Sequence, residues 1–120
     1  MPFLTCLRVW GMQIMQGDIF NLFDPREVRI WHESRHGVAW IQCMPNGMFT
    51  IDAYATGGRK PLRAKLRIAR DLMDAFKTQY PGKNLHCIFH RSRYKILILM
   101  HHLEFEFVGI INDQYVFRRP

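Results

Sequence analysis

One stretch of the chain has the apolar spacing of a helix, and strand-forming residues lie on both sides of it. Between residues 62 and 80, apolar side chains recur every three or four positions, as on one face of an amphipathic helix. These residues are Leu62, Leu66, Ala69, Leu72, Met73, Phe76 and Tyr80. Pro61 stands in the first turn, where proline is tolerated, and Pro81 with Gly82 ends the pattern. One long helix between groups of strands predicts an α+β fold.

Three runs before this helix are rich in Val, Ile, Trp, Phe and Tyr, which favour strands. The runs are Val28–Glu33, Val38–Met44 and Met48–Ala55. His36 and Gly37 separate the first two runs, and Pro45, Asn46 and Gly47 separate the second and third. Because Asn-Gly is a favoured hairpin turn, the pattern predicts an antiparallel three-strand meander.

The region after the helix predicts a strand, a second helix and a hairpin. Leu85–Phe89 suits a strand, and Phe105–Ile111 with Gln114–Arg118 suits a hairpin around Asn112-Asp113. The intervening stretch, Ser92–Leu103, contains Ile-Leu-Ile-Leu-Met, which fits either a buried strand or the inner face of a helix. Its length, with Ser92 as a helix cap, favours the helix.

Length and composition limit the rest of the organisation. A chain of 120 residues with 48% hydrophobic residues has the size of one domain with one core, so we expect a single domain. Near the N-terminus, Phe3–Trp10 suits a short strand and Asp18–Phe23 a helical turn. Residues 1–11 do not resemble a signal peptide, and the apolar run Ile96–Met100 is too short to span a bilayer. We therefore expect no membrane partner.

The cysteines indicate the compartment and the absence of a metal. Cys6, Cys43 and Cys87 are widely spaced and form no C-x-x-C pair, which predicts neither a disulfide framework nor a zinc ribbon. The histidines match no zinc pattern either. We therefore predict a cytoplasmic protein without a metal cofactor.

Positive charge is concentrated at the start of the long helix. The formal net charge of +7 predicts an anionic partner, which is nucleic acid, a phosphorylated cofactor or an acidic protein surface. The cations near the helix start are Arg59, Lys60, Arg63, Lys65 and Arg67. Each is disfavoured by a few tenths of a kcal/mol, because a helix N-terminus has roughly half a positive charge. An anion bound near Gly57 and Gly58 would remove the conflict, and solvated surface cations are the other interpretation.

At this helix start the sequence resembles the GNAT acetyltransferases, and the order of elements from Val28 to Arg118 is similar too. The family's signature there is Gln or Arg, two residues, Gly, one residue, then Gly or Ala. Its backbone amides hold the pyrophosphate of acetyl-CoA, and Arg59, Leu62 and Ala64 occupy the signature positions. The resemblance implies a single GNAT-like domain over residues 1–120, with a gap between two parallel strands that admits the pantetheine arm. It places acetyl-CoA or CoA against Ala55, Gly58, Arg59, Lys60, Arg63, Ala64 and Lys65.

Several positions depart from the family pattern. Leu62 replaces the signature glycine and adds bulk where the backbone approaches phosphate, and Pro61 removes a donor. The family's Asn at the start of the second helix and Tyr near its end correspond to Arg93 and Met100. Methionine cannot protonate a departing thiolate. Asp52 lies on the strand where the family often carries its general base, and an exposed strand residue is the other interpretation.

The shortened pattern is similar to that of GNAT-like proteins encoded by short-tailed bacteriophages, some of which are associated with virion assembly or internal head components. The resemblance implies a virion- or assembly-associated protein of the host cytoplasm, with weak or no catalysis and with virion proteins or DNA as partners. Two alternatives stay open. One is an active acetyl-CoA-dependent N-acetyltransferase, and the other is a basic nucleic-acid-binding module that uses Arg59–Arg70 and the cluster Arg91, Arg93 and Lys95.

Overall fold

The computed structural model of the chain describes residues 24–34, 37–55 and 62–120. The elements in chain order are β1 (Val28–Ser34), β2 (Gly37–Cys43), β3 (Phe49–Ala55), α1 (Leu62–Gln79), β4 (Leu85–His90), α2 (Ile96–His102), β5 (Glu106–Ile111) and β6 (Gln114–Arg119). Short 3-10 turns, Pro25–Glu27 and Arg91–Arg93, precede β1 and α2. The predictions for Phe3–Trp10, Asp18–Phe23 and the turn at His36 lie outside the described residues.

In the described part of the chain, six strands form one mixed sheet in the order β1-β2-β3-β4-β6-β5. β1, β2 and β3 pair antiparallel in sequence, and β5 pairs antiparallel with β6, so the predicted meander and hairpin are confirmed. β4 pairs antiparallel with β6 and parallel with β3. The predicted α+β mixed sheet is therefore confirmed, and the junction of β3 with β4 joins its two antiparallel halves.

Two turns follow from local residue chemistry. The Gly47 N–H donates to the Met44 carbonyl at 2.8 Å, and Asn46 Oδ1 accepts from the Met48 N–H at 2.9 Å. Gly47 has a φ of 87°, a conformation that glycine adopts without strain. In the second hairpin, Asn112 and Asp113 have φ values of 51° and 62°. Positive φ at both central residues matches the strand twist of a two-residue hairpin, so both predicted turns are confirmed.

Both helices lie on one face of the sheet, because α1 contacts α2 as well as β1 and β2. The buried residues of α1 are Leu72, Met73 and Phe76, all in its second half. They join a core that includes Ile41 of β2 and residues of β3, β4 and α2. Burying an apolar side chain of this size contributes roughly 1.5–3 kcal/mol. The helix-side core therefore supplies most of the packing that holds α1 on the sheet.

Alternate residues of β2 and β3 face away from the helices. Trp40 is fully buried, with 0% exposure, although it lies outside the helix-side core cluster. Its indole N–H donates to Gln42 Oε1 at 2.8 Å, and its ring stacks on Trp31 at a centroid distance of 6.0 Å. Asp52 lies opposite Trp40 in the strand register, so it belongs to the same face.

The second helix differs from the prediction at its start. The sequence predicts a helix over Ser92–Leu103 capped by Ser92, whereas α2 begins at Ile96 after the 3-10 turn Arg91–Arg93. The cap prediction was wrong, because His90 caps the 3-10 turn: its Nδ1 accepts from the Ser92 N–H at 3.1 Å. The Ser92 hydroxyl lies 2.8 Å from the same ring nitrogen. It is therefore engaged with His90, while α2 follows Lys95 without a side-chain cap.

Candidate functional site

The junction between β3 and β4 is paired only at its start. Phe49 pairs with Leu85 and Thr50 pairs with His86. No later pair joins these two strands within the described residues, although β3 continues to Ala55 and β4 to His90. On its other side β3 stays paired with β2 along its whole length. The two parallel strands therefore separate toward their C-terminal ends, and we call the space between them the β3–β4 gap.

A cavity of about 270 Å³ occupies the β3–β4 gap and extends toward the helices. Residues 51–53 of β3 and 87–89 of β4 form its walls at the gap. Residues of both helices line it further in: Ile68, Ala69 and Leu72 of α1, and Ile96, Leu99 and Met100 of α2. Because both helices contribute, the cavity continues from the gap into the space under the helix face of the sheet.

Among the described residues that line the cavity, Asp52, Lys65 and Arg93 carry charged side chains. Lys65 is in the first turns of α1, which follows β3, and Arg93 is in the 3-10 turn that follows β4. Both cations therefore come from segments beyond the wide end of the β3–β4 gap. Asp52 lies two residues past the last strand pair, near the narrow end. The cavity thus has a cationic mouth, one carboxyl group further in, and an apolar interior.

Asp52 has a perturbed acidity. Burial raises the pKa of Asp52 above its ordinary value, because the carboxylate loses hydration. Two smaller effects act in the opposite direction, namely the Ala53 N–H, which donates to Asp52 Oδ1 at 2.8 Å, and the positive charge of Arg93. A carboxylate with a raised pKa is a stronger proton acceptor. Asp52 therefore has an acidity suited to proton transfer and lies at the wall of the β3–β4 gap.

Cys87 lines the same gap from β4. Its thiol is buried, and that burial raises its pKa to about 12, with a further upward contribution from the negative charge of Asp52 and an opposing one from Arg93. The thiolate is the nucleophilic form, so a thiol with this pKa is a weak nucleophile at neutral pH. Cys87 therefore lines the cavity and is not an activated cysteine.

The residues predicted to bind the cofactor fall into three groups. Ala55 ends β3, opposite Gly37. Arg63, Ala64 and Lys65 lie in the first turns of α1, where both cations are exposed and Ala64 is half-buried. The remaining three, Gly58, Arg59 and Lys60, lie outside the described residues. The structure thus brings Lys65 to the same cavity as Asp52, whereas Arg63, two residues earlier on α1, does not line that cavity.

Sequence reasoning did not assign Cys87, Arg93 or the apolar residues of α2 to the site. Because Thr50 pairs with His86, Asp52 lies level with the residue that follows Cys87. Neither strand sequence alone reveals this parallel register. Arg93 was recognised only as the replacement for a family Asn and as part of a basic cluster. Its position after β4 was the available signal, because segments that follow neighbouring parallel strands meet at one edge of a sheet.

Within the described ranges, no group of three or more His, Cys, Asp and Glu side chains is arranged to hold a metal ion. No helix in the same ranges is long and apolar enough to cross a membrane. Comparisons with known protein families, curated proteins and solved structures find no match to this chain. Its function therefore has to be inferred from the geometry of the β3–β4 gap.

Proposed function

We propose that the chain is a GNAT-like protein that binds CoA or acetyl-CoA in the β3–β4 gap, with weak or no catalysis of acyl transfer. The observation that carries this proposal is the gap itself: two parallel strands pair at two positions and then separate over an apolar cavity with cations at its mouth. A pantetheine arm is long, thin and contains two amide groups. Strand edges without a strand partner offer N–H and C=O groups to such amides, as in β-strand addition.

The mouth of the gap supports the phosphate end of the ligand. α1 has no acidic residue in its first turn, while Arg63 and Lys65 lie there and Arg93 approaches from the other side. The free N–H groups of a helix start, its dipole and nearby cations all favour a pyrophosphate. The coenzyme would therefore place its phosphates at the mouth and its thiol near Asp52.

Two cavity residues favour weak catalysis. Met100 lies in the cavity, at the position that corresponds to the family's tyrosine acid, and it cannot donate a proton. Cys87 retains its proton at neutral pH and does not replace that acid, because a pKa of about 12 makes it a poor proton donor. A GNAT-like protein of this kind is compatible with the assembly role implied by the phage resemblance, in which exposed cations of α1 such as Arg67 and Arg70 contact virion proteins or DNA.

Active N-acetyl transfer is the second candidate, and Asp52 is the observation that favours it. A carboxylate with a raised pKa, two residues past the last strand pair, is placed to take the proton of an attacking amine. Under this alternative, Asp52→Asn abolishes transfer from acetyl-CoA to amine acceptors and leaves the affinity for CoA unchanged. If Asp52→Asn abolished both acyl transfer and CoA binding, Asp52 would support the binding site and not the chemistry.

Calorimetric titration of the full chain with CoA and acetyl-CoA tests the proposal. We expect saturable one-to-one binding, and we expect Lys65→Ala combined with Arg93→Ala to weaken it roughly tenfold or more, because both cations line the cavity mouth and hydrogen bonds to charged groups contribute about 1.5–3 kcal/mol each. Lys77→Ala is the matched control, because it removes a cation from the last turn of α1. Absence of CoA binding would overturn the proposal.

A salt-matched titration with short duplex DNA distinguishes the nucleic-acid-binding alternative from coenzyme binding. Binding through phosphate contacts weakens steeply as salt rises, because bound cations are released from DNA. DNA binding with such a salt slope, together with no binding of CoA, would favour the basic nucleic-acid module.

A further inference from the structure

We infer that the acyl group this site accommodates is a saturated chain longer than acetyl, an inference that rests on coenzyme binding in the β3–β4 gap. The starting observation is that the cavity of about 270 Å³ does not end at the gap, which the pantetheine arm would occupy. It continues to apolar residues of both helices, among them Leu72 and Leu99. The part of the cavity beyond the gap is therefore space that the coenzyme itself would not occupy.

The orientation of the cavity, from its mouth to its narrow end, decides where a longer acyl chain would lie. The cations Lys65 and Arg93 lie at the mouth, so the thiol end of a bound coenzyme points toward the narrow end of the gap. There the pair Thr50–His86 closes the two strands, so a longer acyl chain cannot continue along the sheet. The described lining continues from Ile51 and Cys87 to α1 and α2. An acyl chain would therefore turn through the gap into the space between the two helices and the sheet.

Small side chains keep this inner space open. Ala39 is buried in the core cluster on β2, and half-buried Ala69 lines the cavity from α1. Larger apolar residues surround them, among them Leu72 and Phe105. Protein interiors are normally packed closely, so a space bounded by alanines next to leucines and phenylalanines is a volume that the described residues leave unfilled.

The inner lining selects for hydrocarbon over polar acyl groups. Apart from Asp52, Lys65 and Arg93, the described residues that line the cavity are apolar. A buried water needs two to four polar partners, and a buried hydroxyl or carboxylate without a partner is strongly disfavoured. Each CH₂ transferred into such a space strengthens binding by about fourfold. A saturated chain is therefore the acyl group that this lining favours.

Calorimetric titration of the full chain with CoA, acetyl-CoA, hexanoyl-CoA and octanoyl-CoA tests the inference. We expect affinity to rise by about fourfold for each CH₂ that enters the cavity, up to roughly four-thousandfold for the six additional CH₂ groups of octanoyl-CoA over acetyl-CoA. Ala69→Leu fills the inner space from α1 and should reduce that preference at least tenfold, while the affinity for CoA changes less than twofold. Leu99→Phe fills it from α2 and provides an independent variant in case the first does not fold.

Ala75→Leu is the matched control, because it adds the same side chain to α1 at a half-buried position that does not line the cavity. Equal affinities for acetyl-CoA and octanoyl-CoA, with CoA still bound, would overturn the inference and leave the proposed function in place. A chain-length preference that survives both filling variants would overturn the location of the acyl chain. Absence of binding by every CoA species would overturn the proposed function and this inference together.

Discussion

Strand β3 has two neighbours, and it is joined to them very differently. With β2 it forms an antiparallel ladder of seven residue pairs from Phe49 to Ala55. With β4 it forms a parallel ladder of two pairs, after which the strands separate over a cavity. One edge of β3 is thus paired along its whole length, whereas the other edge borders a cavity. The closed β2–β3 seam stabilises the sheet, and the open β3–β4 seam contains the cavity.

The connections between the strands explain this difference. A short turn that contains Asn46 and Gly47 links β2 to β3, so these strands are held side by side from the turn onward. The connection from β3 to β4 passes through α1, an 18-residue helix. Only the second half of α1 contains buried residues, whereas its first half lines the cavity with Lys65 and Ile68. The helix therefore packs firmly where β3 and β4 are paired and leaves space where they separate.

The largest expected effect is on the closed seam. Ile41 is fully buried in β2, so Ile41→Ala should reduce the free energy of unfolding by about 2–5 kcal/mol through lost burial and a new cavity. Ile88 is half-buried and lines the existing cavity, so Ile88→Ala should cost less than half as much. Urea denaturation of both variants measures the difference. Similar losses at the two positions would contradict the division into a closed and an open seam.

A smaller, pH-dependent effect is expected at the open seam. Because the pKa of Asp52 is raised in the folded state, the unfolded chain releases this proton first as pH rises from below 3.8. The free energy of unfolding of the wild type should therefore fall relative to that of Asp52→Asn between pH 3.8 and the folded-state pKa of Asp52. Above that pKa the difference between the two proteins should stay constant. The expected change is smaller than that of Ile41→Ala. Thermal or urea unfolding across this pH range measures it.

Asp71→Asn serves as the control for this measurement, since it removes an exposed carboxyl from α1. If the wild type instead gained stability over Asp52→Asn as pH rose, the carboxylate would be better solvated in the folded state than the structure indicates.

The smallest effect is expected at the other antiparallel seam, between β5 and β6. Arg118 and Glu106 form an ion pair across it at 3.6 Å, with side chains 44% and 62% exposed. Exposed pairs contribute about 0–1 kcal/mol, so Glu106→Gln should change the free energy of unfolding by less than about 0.5 kcal/mol. Urea denaturation at low and high salt checks this, and a loss above 1 kcal/mol would show that charge, and not strand pairing, holds this seam.

Most of the fold was predictable because its signals are local. Asn46-Gly47 and Asn112-Asp113 specify hairpins through their own backbone preferences, and the apolar spacing of α1 identifies its buried face. The start of α2 was not predictable in the same way. Ser92 has the residue type of a helix cap, but its partner His90 holds it in a separate 3-10 turn. A local propensity was overridden there by a neighbouring side chain.

The site was only partly predictable, because its parts meet through the parallel register. Asp52 was selected by its strand and Lys65 by its helix start, both of which are sequence features. The proximity of Asp52 to Cys87 and Arg93 depends on how β3 aligns with β4, and only two pairs define that alignment. The inner cavity depends on the tilt of α1 and the position of α2, which no short sequence pattern encodes.

The raised pKa of Cys87 determines how readily this thiol would react with a bound thioester. A thioester held in the β3–β4 gap would lie beside a cysteine, and an ionised thiol there could take over the acyl group, release the coenzyme thiol and obstruct the cavity. With a pKa of about 12, on the order of one Cys87 thiol in 100,000 is ionised at pH 7. If the gap binds a thioester as proposed, burial of Cys87 would limit acylation of the protein itself and keep a compact, apolar side chain in the cavity wall.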